Sequence, residues 1–91
     1  MKGSLSITYG KNKYLATLKS MDLAKARRQA VDVSEALIGK RNKMKSVGVL
    51  MQDEEGKALY WFDIVFKLRE VHITTKKYEE TGVKIEVEKR V

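Results

Sequence analysis

Residues 20–40, SMDLAKARRQAVDVSEALIGK, constrain the fold more than any other stretch, because here alone the apolar pattern keeps a helical period over several turns. Leu23, Ala26, Ala30, Val33 and Leu37 recur at alternating spacings of three and four and form one apolar stripe of an α-helix. Ala24, Val31 and Ile38 form a second stripe beside it, and Lys25, Arg28, Asp32 and Glu35 fall on the opposite side. Ser20 or Asp22 can cap the N-terminus by accepting a backbone N–H, and Gly39 supplies a left-handed stop. On the helical wheel Arg27 and Ser34 project between the two stripes. Arg27 then either snorkels out along its methylenes or points toward a partner at the edge of a sheet.

The rest of the chain has period two. Leu5, Ile7 and Tyr9 alternate with polar residues over 4–9, residues 10–13 read as a turn, and 14–18 continue as a second strand. A short helix over 12–19 competes with that second strand, since Lys, Ala and Leu form helices well. Residues 46–51, SVGVLM, read as a buried strand, and the acidic segment 52–57 as a hairpin tip with its glycine. In the returning strand 58–68, Tyr60, Phe62, Ile64, Phe66 and Leu68 form an apolar face, and Leu59, Trp61, Asp63, Val65 and Lys67 a mixed one. Val71 and Ile73 begin another strand, 76–82 reads as a turn, and Val83, Ile85 and Val87 mark a half-exposed terminal strand. The expected order is β-β-α-β-β-β-β in a single domain over 1–91. That is an α+β fold with one amphipathic helix on a largely antiparallel or mixed sheet of five to six strands.

Charge narrows the functional classes. The net charge is +7, and its distribution is one-sided. Residues 1–50 hold eleven Lys and Arg against three Asp and Glu, whereas residues 51–91 hold eight against nine. An excess confined to the half around the helix favours a polyanionic partner over uniform surface decoration. The absence of cysteine excludes a disulfide framework, a thiol nucleophile and a Cys-based zinc site, and fits a reducing compartment. No apolar run is long enough for a membrane span, and the N-terminus lacks a signal-peptide core, so the expectation is a cytoplasmic protein without a membrane partner.

The helix and the hairpin after it resemble the Alba family of small archaeal chromatin and RNA-binding proteins. Ala26 and the run Ala30-Val31-Asp32-Val33-Ser34-Glu35 are similar to the family's second helix. Met44-Lys45-Ser46-Val47-Gly48-Val49 is similar to its third strand, and Trp61-Phe62-Asp63-Ile64-Val65-Phe66 to its fourth. The resemblance covers about residues 24–69, half of the chain. It implies a homodimer that binds DNA or RNA with little sequence preference, through basic residues near the helices and a hairpin arm. Between Gly10 and Ala30 the chain is too short for the family's first helix, the arm carries Asp53, Glu54 and Glu55 instead of basic residues, and 70–91 has no counterpart.

Lys11, Lys13, Lys25, Arg27, Arg28, Lys40, Arg41, Lys43 and Lys45 are the candidate nucleic-acid-binding residues, in the turns and ends that flank one helix. Contacts of such cations with phosphate give affinity without reading sequence. Arg27 and Arg28 could join the free N–H groups of the helix N-terminus around a phosphate. Tyr9, Tyr14, Tyr60 and Trp61 are candidates for base stacking. Tyr60 belongs to the core-facing side, and Trp61 suits an interface or core better than a stack. The chain reads as non-enzymatic, with no cofactor, metal or small-molecule substrate. His72 is the only histidine, no nucleophile–base pair is visible, and three acids at a hairpin tip suit solvent better than a cation. The alternative is a structural or protein-interaction subunit that homo-oligomerises through its sheet and does not bind nucleic acid.

Overall fold

The computed structural model describes residues 3–39, 43–78 and 84–88. The elements are β1 (Ser4–Tyr9), β2 (Asn12–Thr17), α1 (Leu23–Ile38), β3 (Lys45–Gln52), β4 (Ala58–Phe66), β5 (Val71–Tyr78) and β6 (Lys84–Glu88). All six strands join one sheet in the order β2-β1-β3-β4-β5-β6, and every neighbouring pair is antiparallel. The helix lies on one face of this sheet, over β1, β3 and β4. The fold is therefore α+β.

Residues 12–17 form a strand and not a helix. Their pairing with β1, from Ser4 opposite Thr17 to Tyr9 opposite Asn12, supplies a full ladder that outweighs local helix propensity. Gly10, at φ +61°, turns the chain with Lys11 in a two-residue hairpin loop. The connection from β2 to α1 is held by Gln29, whose side chain accepts from the Lys19 N–H at 2.9 Å and donates to the Thr17 carbonyl at 2.8 Å. Asp22 is the N-cap: its carboxylate accepts from the Lys25 N–H at 3.1 Å. Gly39, at φ +67°, closes the other end, with its N–H donating to the Glu35 carbonyl.

The core lies between α1 and the middle strands. Leu5 and Ile7 of β1, Val47, Val49 and Met51 of β3, Phe62, Ile64 and Phe66 of β4, and Ile73 of β5 are buried against it. Full burial of each large side chain here is worth about 1.5–3 kcal/mol. The helix contributes a row at spacing four: Ala26, Ala30, Ser34 and Ile38. The sequence stripes sit astride this row. Leu23 is half-buried at the start of this row, Val33 and Leu37 are half-buried on one flank and Val31 on the other, and Ala24 is exposed. Ser34, which the wheel places between the stripes, is at the centre of the contact, because three small residues in line let the helix backbone approach the sheet closely.

Two boundaries differ from the sequence expectation. Strand β4 ends at Phe66, and Leu68, expected on its apolar face, is 61% exposed in the turn to β5. That turn is closed by the Lys67 N–H donating to the Glu70 carbonyl at 2.9 Å, which takes the chain off the sheet before Leu68 can face the core. Strand β5 continues through Lys76, Lys77 and Tyr78, where a turn was expected, because Tyr60, Trp61 and β6 offer pairing partners. The remaining turn positions, 79–82, and Val83 lie outside the described residues.

Candidate nucleic-acid interface

The register sorts the loops to two ends of the sheet. Thr8 faces Gly48 and Lys45 faces Phe66, which itself faces Val71. The β1–β2 turn, the connection from α1 into β3 and the β4–β5 turn therefore share one end. The start of α1 and the β3–β4 hairpin tip share the other.

The shared loop end is basic. Lys43, Lys67 and Arg69 line one shallow groove of about 540 Å³ together with Met44, Leu68 and Glu70. Lys11 and Lys13 lie exposed at the β1–β2 turn on the same end. Glu70, the acid of this groove, holds His72 Nε2 at 2.9 Å. Lys45 is at this end too, but its ammonium turns inward and donates to the Ile38 carbonyl at 3.0 Å, at the C-terminus of α1. Lys40 and Arg41 lie outside the described residues.

The helix cations stand apart from this cluster. Lys25 and Arg28 are exposed near the helix start and line a separate cleft with Lys19, Gln29 and Asp32. Thirteen residues of rise, about 20 Å, separate Lys25 from Ile38, the last residue of the helix. Arg27 is half-buried on the flank facing β5, where it lines a groove with Val71 and Ile73. The seven described candidates thus lie in two places, Lys11, Lys13, Lys43 and Lys45 at the loop end and Lys25, Arg27 and Arg28 on the helix. Lys67 and Arg69, which join Lys43 in the groove at the loop end, are not among the sequence candidates because they belong to the electrically balanced half of the chain. Their signal was local: Lys67-Leu68-Arg69 directly follows the core strand.

The acids gather at the far end. Asp53, Glu54 and Glu55 occupy the β3–β4 tip, where Asp53 is used to build the turn: its Oδ1 accepts from the Glu55 and Lys57 N–H groups, both at 2.9 Å. The tip is acidic, but the same end also carries Lys19, Lys25, Arg28 and Lys57, so its charge is mixed where the loop end is basic. Among the described residues no three His, Asp or Glu side chains gather as a metal site would require, and no helix is long and apolar enough to cross a membrane.

The sheet face away from the helix carries the Trp side chain. One row across it reads Leu15, Ser6, Leu50, Trp61, Lys76, and the next reads Lys13, Thr8, Gly48, Asp63, Thr74. The indole of Trp61 leans from β4 onto β3 and fills the space above Gly48: a Cβ there would lie 2.5 Å from Cζ2 and 2.8 Å from Cη2. Its Nε1–H donates to Asp63 Oδ1 at 2.8 Å, and Asp63 Oδ2 is 3.6 Å from Lys76 Nζ. Tyr60, on the helix side, stacks with Phe62 at 6.5 Å between ring centres. Tyr9 is half-buried against the core, and Tyr14 is exposed on β2. No family model, curated protein or solved structure matches this chain.

Proposed function

We propose that this chain binds nucleic acid without catalysing a reaction and with little sequence preference, through the basic loop end of its sheet. The observation that carries this reading is the meeting of Lys43, Lys67 and Arg69 in one groove, with Lys11 and Lys13 at the same end and the acidic tip at the opposite end. A local concentration of cations attracts a polyanion, and exposed Lys and Arg on loops meet phosphates without reading bases. The resemblance of residues 24–69 to the Alba family implies the same class of partner.

The test is a binding assay on DNA and on RNA at two salt concentrations. Log affinity is expected to fall linearly with log salt. Reversing Lys43, Lys67 and Arg69 to Glu together is expected to abolish retention. Affinity indifferent to salt, or no retention of either polymer, would remove the proposal.

One observation favours the second reading, a subunit that assembles through its sheet. β2 is an edge strand whose outward Leu15 is 76% exposed, so its backbone and an apolar side chain are both presented to a neighbouring strand. Sizing with and without nucleic acid separates the readings. A stable homo-oligomer that takes up no nucleic acid is the outcome that favours assembly.

A further inference from the structure

We infer that the sheet face opposite the helix is a single-strand binding platform, on which Trp61 stacks an unpaired base of DNA or RNA. This deepens the preceding proposal and rests on it, since the basic end supplies the phosphate contacts that bring a strand onto this face.

The first support is the posture of the ring. A Trp on a strand stands off the sheet unless something holds it down, and here two features do so. Gly48 leaves the space the six-membered ring occupies, and Asp63 takes the Nε1–H. The indole is thereby laid across β3 and β4 in a fixed orientation before any ligand arrives. Fixing the ring in advance lowers the entropy lost on binding, and base–aromatic stacking is indifferent to which base arrives.

The second support is what surrounds it. A shallow groove of about 430 Å³ opens beside the ring, lined by Thr8, Ser46, Asp63 and Val65 among others. It runs from Trp61 toward the basic end, because residues 63 and 65 are the next steps of β4 in that direction. The hydroxyls of Thr8 and Ser46 offer donors and acceptors to the edge of an unpaired base. Asp63 is the one acid lining this groove, and its charge is offset by Lys76. Lys13 and Lys76 lie on this face at positions flanking the groove. A duplex hides its base faces in its own stack, so only a single strand can use such a platform.

The experiment titrates the full chain with a single-stranded oligothymidylate and, separately, with a duplex of equal length, at low and moderate salt. Trp61 is the only tryptophan, so emission reports this face directly. The single strand is expected to quench it to saturation and the duplex to leave it unchanged. Trp61→Ala is expected to weaken single-strand binding about tenfold while leaving duplex binding in place, and Trp61→Phe to recover part of the loss. Because Trp61→Ala could perturb the sheet, circular dichroism of both variants accompanies the assay, and the quenching of the unaltered chain stands without either. Salt-dependent binding with no quenching would overturn the platform and leave the basic-end proposal intact. Binding of neither polymer would overturn both. An emission change that follows protein concentration without oligonucleotide would assign the face to a second copy of the chain and likewise overturn the platform.

Discussion

Lys45 donates from its Nζ to the carbonyl oxygen of Ile38 at 3.0 Å, so a residue of β3 closes the last turn of α1. This contact supplies a cation where the helix dipole is negative, at a terminus whose last turn has no basic residue of its own. The bond is half-buried, which gives Lys45 a structural role. Lys45→Met is expected to cost about 1 kcal/mol of stability in denaturant titration. Lys43→Met is expected to stay within about 0.5 kcal/mol of the unaltered protein. The salt dependence of nucleic-acid binding should respond in the opposite order. Lys43→Met lowers the slope by about one, and Lys45→Met leaves it unchanged. A Lys45→Met variant of full stability and reduced slope would reverse the assignment.

Gly48 and Trp61 are expected to be coupled. Gly48 has ordinary strand geometry, so the cost of a side chain there arises from the indole and not from the backbone. Gly48→Ala should destabilise by about 1–3 kcal/mol, as overpacking does, and shift Trp emission to longer wavelength as the ring is lifted. In a Trp61→Ala background the same change should cost almost nothing. Equal costs in both backgrounds would show that the ring does not depend on the glycine.

The order of elements and the helix were legible because each rests on a long run of one periodicity. Residues 23–38 keep their period for four turns, and the alternation in 45–52 and 58–66 is carried by large apolar residues. Two kinds of information were not local. Ser34 looked misplaced on a wheel because burial in a helix on a sheet follows the closest line of approach, which small residues define. The grouping of Lys67 and Arg69 with Lys43 was not readable because charge was summed along the chain, whereas antiparallel pairing folds residue 67 back beside residue 43. The hydrogen bond from Trp61 to Asp63 could have been guessed, since residues two apart on a strand share a face. The glycine beneath the ring depends on register, and register was not readable from either strand alone.

Ser34 is fully buried, and its hydroxyl has no hydrogen-bond partner among the described residues. A buried unpaired polar group costs about 1–3 kcal/mol, and alanine is the better helix former. Ser34→Ala is therefore expected to raise stability by about 1 kcal/mol, set against a small loss of packing volume. For a domain of this size that is a rise of about 4–8 °C in Tm. A fall in Tm would mean that the hydroxyl is satisfied in solution, and hydrogen exchange along α1 would then locate the partner.

The exposed charges of α1 run against its own dipole. The first turn contains no acid and the last turn no base, Lys25 and Arg28 lie in the first half, and Asp32 and Glu35 lie in the second. Lys25 is the third helical residue after the Asp22 cap, where a glutamate suits a helix start best. Lys25→Glu is expected to add about 0.3–1 kcal/mol at low ionic strength, with the gain shrinking as salt is raised. The same variant locates the nucleic-acid site. A ligand held at the loop end stands about a helix length from Lys25, so its salt slope should not change. A slope reduced by two or so, as expected when a contact cation is exchanged for an anion, would extend the binding surface to the helix start and restore the wider set that includes Lys25, Arg27 and Arg28.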